Sequence, residues 1–376
     1  MNSSPPTNQL DESARAQILL ALTPDVGPIL RGRLLERFGD AAGVFAANEA
    51  DLQSVQGIGP KISRRIISAR HEVQIDAHLA IAAEHGLTIL LPEWPGYPRS
   101  LREIPDPPGV LFVRGTIEPA DQMAVASVGT RRATHYGKKQ AERLASGLAR
   151  AGITVVSGMA RGIDGVAHRA AMNAGGRTIA VLASGVLNPF PPEHVKLAEE
   201  IAVQGAVLSE AAPTMPPLSG MFPQRNRIIS GLTMGTIVVE AADRSGALIT
   251  ARHAMEQGRE IFAVPGPVDS PGSSGPHRLL RDGAKLVTCI DDVLEELGPL
   301  AEPAPDQRGG NIRVAAELKL NDMEHAVLQA IDPTGSMLDE VAAACELPIH
   351  RVLSTVSVLE SRRLVRKLGG NRVARI

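Results

Sequence analysis

Aromatic side chains are scarce, with one Trp, two Tyr and six Phe among 376 residues. That excludes a sheet-face stacking platform of the kind RNA-recognition modules use. Cysteine is scarcer still. Cys289 and Cys345 lie far apart and neither has a C-x-x-C partner, which excludes a disulfide framework or a cysteine zinc site and fits a reducing cytoplasm. No run of about eighteen apolar residues occurs, so no membrane span is expected. Residues 1–9 are polar and proline-containing, without the basic and apolar regions of a signal peptide, and read as a disordered tail. No excess of charge of one sign marks the chain either, since its net charge is −2.

The apolar content, 44%, is that of an ordinary globular protein, and the length allows two or three domains. Charge is uneven locally. Arg131, Arg132, His135, Lys138, Lys139 and Arg143 cluster in one stretch, and His350, Arg351, Arg362, Arg363, Arg366, Lys367, Arg372 and Arg375 crowd the C-terminus. Each cluster reads either as a solvated face or as a footprint for an anionic partner.

Residues 10–86 read as a small helical domain. Within them Val55-Gln56-Gly57-Ile58-Gly59-Pro60-Lys61 precedes an apolar-periodic helix, the pattern of a helix-hairpin-helix turn. Its glycines permit a tight turn whose N–H groups face a phosphate, or else simply pack two helices. From residue 87 to 297 short β-branched runs alternate with helical stretches. The runs are Met123–Val128, Ile153–Ser157, Thr178–Ala183, Ala206–Ser209, Thr236–Glu240 and Glu260–Val264, with an extra strand pair expected on either side of Tyr97–Ile104. This alternation predicts an α/β fold, an extended Rossmann-like, doubly wound and mostly parallel sheet covered on both faces. A Pro- and Gly-rich linker, residues 298–314, leads to residues 315–376. There three helical runs and a basic ribbon turning at Gly369-Gly370 predict a winged helix, a fold that binds DNA in some proteins and protein in others.

In an open parallel sheet, ligands bind beyond the carboxyl ends of the strands. The segments following the strands supply Gly129 and Arg131, then Ser157, Gly158, Arg161 and Gly162. Later segments supply Phe222, Arg225, Asn226 and Arg227 in a long loop, and finally Ser245 and Gly246. Glycines admit backbone N–H groups to an anion, hydroxyls donate, and arginines fork onto phosphate oxygens. Phe222 is placed to stack on a base, which suits sequence-tolerant single-strand binding. Neither G-x-G-x-x-G nor a Walker lysine is present, so no nucleotide cofactor is implied. Asp164 and Asp243 fall where helix caps are expected, and Glu210 and Glu240 lie near strand ends. No nucleophile is paired with a base and no metal-ligand cluster appears, so no catalytic residue and no metal site are assigned. The competing reading is an enzyme acting on a nucleotide or nucleoside phosphate, with Glu240 or Asp164 as acid or base.

Several strings together resemble the DNA-processing protein A family, also called DprA or Smf. They are Val128-Gly-Thr-Arg131 with Tyr136-Gly137, Ser157-Gly-Met-Ala-Arg-Gly-Ile-Asp164, Phe222-Pro-Gln-Arg-Asn-Arg227 and Glu240-Ala-Ala-Asp-Arg-Ser245-Gly. The resemblance implies a protein of natural transformation and recombination. Such a protein binds and protects incoming single-stranded DNA, loads the RecA recombinase, and forms a homodimer through the Rossmann-like domain. One stretch departs from the family, Leu182 to Pro191, where the family more often has a tyrosine at the position of Phe190. That leaves no contact assigned to this loop.

Overall fold

The computed structural model describes residues 10–297, 304–305, 311–312, 322–361, 364–368 and 370–375. The expected tail, 1–9, and most of the expected linker, 298–314, lie outside them. A mixed sheet forms the frame. Its strands are β1 (Thr88–Leu90), β2 (Leu111–Gly115), β3 (Ala124–Val128), β4 (Thr154–Ser157), β5 (Thr178–Val181), β6 (Ala206–Ser209), β7 (Gly235–Val238), β8 (Glu260–Ala263) and β9 (Lys285–Leu286). The order across the sheet is β1-β2-β6-β5-β4-β3-β7-β8-β9. From β6 to β9 every pairing is parallel, while β1 and β2 close one edge antiparallel. The antiparallel pair matches the sequence expectation; β9, only two residues long and without a β-branched run, carried too little pattern to be read.

Every residue of β3 to β7 is buried, as strands covered on both faces require. Because side chains alternate, Val156 and Val181 face one layer, and Val155 and Ala180 face the other. The first layer is built by α7 (Arg99–Arg102), α11 (Met221–Gly231), α12 (Gly246–Glu256) and α13 (Ser274–Arg281). The second is built by α8 (His135–Arg150), α9 (Ile163–Asn173), α10 (Val195–Gln204) and α14 (Ile290–Leu297).

Upstream stand α1 (Glu12–Leu22), α2 (Pro28–Phe38), α3 (Ala41–Ala46), α4 (Glu49–Gln53), α5 (Pro60–Glu72) and α6 (Ile75–Glu84). Leu34, Val44, Leu52, Val55, Ile58 and Ile66 make a separate apolar cluster among α2–α5 and their turns. Two helices do not stay within it. Ile18 of α1 and Leu79 and Ala82 of α6 pack with Ile89, Phe112 and Val207 of the sheet. Arg31 of α2 adds a polar tie, its Nη2 donating to the carbonyl of Pro107. The hairpin turn places Gly57 at φ +93° and starts α5 with Gly59 and Pro60, the geometry its glycines were expected to allow.

The C-terminal unit holds α15 (Asp322–Gln329), α16 (Leu338–Ala344) and α17 (Ile349–Ser361). Val327, Val341, Val352, Val356, Leu359, Val365 and Val373 give it a core of its own. The sequence suggested a two-stranded ribbon. Instead β13 (Val365–Leu368) and β14 (Arg372–Arg375) are joined by β12 (Ser336–Met337), in the order β12-β14-β13. A two-residue ladder, β10 (Ala304–Pro305) with β11 (Asn311–Ile312), lies between the units in sequence.

Candidate nucleic-acid interface

The chain leaves β3, winds through β4, β5 and β6 on one side, then crosses to β7 on the other. The loops after β3 and β7 therefore diverge at a topological switch point, where open α/β sheets bind ligands. Here the two loops are tied together from below. Thr130 N–H donates to the carbonyl of Glu240 at 2.7 Å, and Thr134 donates both its N–H (3.0 Å) and its hydroxyl to the Glu240 carboxylate. The same hydroxyl accepts from Gly137 N–H and so caps α8. A Cβ on Gly137 would lie 2.2 Å from Oε2 of Glu240, so any larger residue there would have to displace that carboxylate. With both oxygens engaged and the side chain buried, Glu240 is a brace between loops.

The loop after β4 is held just as firmly. Ser157 Oγ donates to the carbonyl of Ser127 at 2.6 Å, so its proton is used inside the sheet. Asp164 lies in the first turn of α9 and accepts from Ala160 N–H at 3.1 Å. Burial pushes its carboxyl upward from the ordinary range, opposed by the Arg225 guanidinium and by the Ala160 and Gly158 amides. Gly162, at φ +77°, passes so close to the first loop that a Cβ would sit 2.3 Å from the carbonyl of Thr130. Arg161 is exposed and paired with Glu193, whose carboxyl is held down at about 2 by that arginine.

The segment around Phe222 is the principal correction to the sequence reading. It is a helix, α11, and not a loop. Gly220 precedes it and no side chain caps it, so the cap signal is missing, although Pro223 stands in the first turn, where the absence of its N–H costs no intrahelical bond. Arg225 and Arg227 were expected to fork onto phosphates. Both are buried instead. Arg225 donates to the carbonyls of Gly158 (2.7 Å) and Val181, and burial lowers its pKa to about 10. A Cβ on Gly158 would lie 2.7 Å from that guanidinium, so the close packing of Arg225 gives a second reason for glycine there. Arg227, 1% exposed, grips Glu210 with two hydrogen bonds (2.7 and 3.0 Å) and has Nε 3.0 Å from Asp106 as a charge contact. Asn226 is buried too, donating to the carbonyl of Gly246 at 3.2 Å. These three side chains nail α11 to the sheet and to α12. They do not face solvent.

Expected caps also move. Ser245 caps α12, accepting from Ala247 N–H, whereas Asp243 lies 3.8 Å from Arg278. Gly129 has a packing role, since a Cβ would meet Ile163 at 2.5 Å. What remains on the surface of the rim is Arg131, Arg161, half-exposed Phe222, Ser245 and Gly246. Arg131 lies over the Phe222 ring, its guanidinium carbon 5.4 Å from the centroid.

Other residues gain weight from the structure. Arg132, named in the basic cluster but not among the rim residues, and Arg244 are exposed and carry no ion pair among the described residues, making them better free cations than the buried pair. Phe190 is 36% exposed and meets Phe222 edge-to-face, with centroids 5.9 Å apart and planes at 68°. The loop from Leu182 to Pro191, to which no contact was assigned, thus reaches the rim through Phe190. A signal was available: an aromatic between Pro189 and Pro191 at a strand end is held rigidly and has little reason to be there for packing.

These features define a class: a doubly wound α/β protein whose strand-end rim carries exposed arginines and two phenylalanine rings over a locked polar base. Residues 88–298 match the family described as DNA recombination-mediator protein A. Residues 18–72 match a SAM-like helix-hairpin-helix tandem, and residues 313–371 match the DprA winged helix domain. The chain belongs to the DNA recombination-mediator protein A family. It is 50% identical over 202 residues to the protein Smf of Escherichia coli, covering 54% of this chain and 54% of that one, so it spans about half of that relative's length. Among solved structures it is similar to DNA processing protein A of Streptococcus pneumoniae, at 35% identity and a TM-score of 0.64, covering 76% of this chain and 99% of that one. It is also similar to DNA processing protein A of Helicobacter pylori, described for its single-stranded DNA binding mode. That match has 30% identity and a TM-score of 0.51, and covers 56% of this chain and 95% of the other.

Proposed function

We propose that this chain binds single-stranded DNA at the strand-end rim without chemical turnover. It would serve natural transformation and recombination in the cytoplasm, protecting an incoming strand and handing it to the RecA recombinase. The observation that carries the reading is the pairing of exposed arginines that carry no ion pair among the described residues, Arg131, Arg132 and Arg244, with an exposed Phe190 and a half-exposed Phe222 ring. Charge engages the backbone and rings engage unpaired bases, a combination tolerant of sequence. The enzyme reading loses support because Glu240 is consumed by Thr134 and Asp164 is sealed beneath its loop. A homodimer through the sheet-bearing unit belongs to the same proposal, as does the division into units at 10–86, 87–297 and 315–376.

Fluorescence anisotropy with labelled single- and double-stranded oligomers across salt tests it. Three or four engaged phosphates give a single-strand salt slope of about −2 to −3. Arg131→Ala should weaken binding to all sequences alike and flatten that slope by about 0.7. Equal affinity for duplex and single strand, or an unchanged slope in the variant, counts against the reading.

A further inference from the structure

We propose that the exposed side of α17 and the ribbon beside it form a docking surface for an acidic amphipathic helix of another protein. A winged helix can take DNA or protein, and the side chains on α17 distinguish the two. Val352, Thr355, Val356 and Leu359 are buried and turn one side of α17 into the core of the C-terminal unit. The opposite side exposes Ile349 (40%), Leu353 (41%) and Val358 (39%), with Ser354 and Ser357 between them. Three bulky aliphatics on one side of a 13-residue helix make a patch rather than scattered exposure. A helix that reads base-pair edges needs Arg, Lys, Asn, Gln or an unspent hydroxyl there. The middle turns of α17 offer none. Ser354 Oγ donates to the carbonyl of Arg351 at 2.9 Å and Ser357 Oγ to that of Leu353 at 3.0 Å, so both protons stay in the helix.

The charges around the patch select the partner. Lys367 of β13 lies 3.4 Å from Ser357 Oγ, so the ribbon borders the aliphatic side. Its ammonium donates to Glu360 at 2.7 Å, which spends a ribbon cation that a DNA phosphate would need. Charge is divided across the unit. Asp332, Asp339, Glu340 and Glu346 are exposed on α16 and the turns flanking it, whereas Arg351, Arg366 and Arg372 are exposed on α17 and the ribbon. Arg351 and Arg366 carry no ion pair among the described residues. An aliphatic centre edged by such cations complements a helix with leucine-like residues at i, i+3, i+4 and i+7 and carboxylates along its border. The unit's own acidic helix, α16, exposes Asp339, Glu340, Ala343 and Ala344 but no bulky aliphatic, so a second copy is the poorer fit.

The test uses the full chain, methyl-labelled at Ile, Leu and Val, and followed by NMR. Three probes are added in turn: a synthetic glutamate-rich helical peptide with leucines at i, i+3, i+4 and i+7, the same peptide with serines for those leucines, and a duplex oligonucleotide. The leucine peptide should shift the methyls of Ile349, Leu353 and Val358 saturably, while the serine peptide and the duplex leave them in place. Leu353→Ala should bind the leucine peptide roughly tenfold more weakly, the effect of one buried leucine side chain. Its affinity for oligo-dT should equal the parent's. Arg351→Gln should weaken peptide binding about threefold at low salt and not at high salt, as a rim charge does. Shifts of these methyls with duplex, or a loss of oligo-dT binding in Leu353→Ala, would give the patch to DNA and overturn the proposal. Shifts with rising protein concentration alone would give it to a second copy, with the same consequence. A leucine peptide that moves none of the three residues, acts no differently from its serine control, or binds Leu353→Ala as well as the parent also overturns it.

Discussion

Replacing Arg227 by Met removes the charge but keeps most of the volume, so it isolates the buried ion pairs. Glu210 and Asp106 would each keep a negative charge with their side chains only 17% and 24% exposed. Breaking a buried pair by removing one partner costs about 3–5 kcal/mol, because the remaining charge is left uncompensated. In a unit of about 150–250 residues each kcal/mol moves Tm by roughly 2–4 °C, so a fall of roughly 6–20 °C is expected. Thermal unfolding followed by circular dichroism measures it, and oligonucleotide anisotropy on the still-folded protein at low temperature should show single-strand affinity within about twofold of the parent. Adding Asp106→Asn and Glu210→Gln to the Met variant should recover much of the loss, since no orphan charge remains. The reasoning is refuted if Tm moves by less than about 2 °C while affinity collapses. That pattern belongs to an arginine on the DNA.

Glu240→Gln should cost about 1–3 kcal/mol in urea unfolding, as it weakens a buried acceptor of two Thr134 donors. Single-strand binding should be nearly unchanged, and a large loss of binding with normal stability would move Glu240 into the interface. His168 sets a pH dependence. Thr178 Oγ1 donates to the carbonyl of Val155, so it accepts from His168 Nδ1, and the Nε2 atom has no partner. Burial lowers the imidazole from its ordinary 6.5 to about 3. Between those values the unfolded chain holds a proton that the folded chain does not, so stability falls as pH drops below about 6.5, by about 1.4 kcal/mol per pH unit from this group. Urea midpoints at pH 7, 6 and 5 should show that slope reduced in His168→Asn, and parallel slopes would contradict it.

The frame was legible because the fully buried strands β3 to β7 appear as compact apolar runs between helical stretches, a pattern that survives without any tertiary knowledge. The rim was legible as an address, since strand ends in a doubly wound sheet are where loops converge. What each side chain does there was not legible. An arginine at a strand end reads the same whether it meets solvent or a carboxylate, and the partners of Arg227 are Asp106, far earlier in the chain, and Glu210. Packing reasons for glycine were hidden in the same way. Gly158 makes room for Arg225 and Gly137 makes room for Glu240, reasons that exist only once distant segments have come together. Phe190 was passed over because it was weighed as a departure from a family pattern rather than as an exposed ring.

The brace of Glu240 on Thr134 and the grip of Arg225 and Arg227 on α11 imply that the family's most recognisable strings are a record of folding. A descendant chain that keeps them has inherited the frame. If the proposed strand-end rim holds DNA, the grip would depend on Arg131, Phe190 and Phe222, which meet one another at that rim. On that proposal ancestry and ligand could part company within this architecture, and these three side chains are where the parting would be seen.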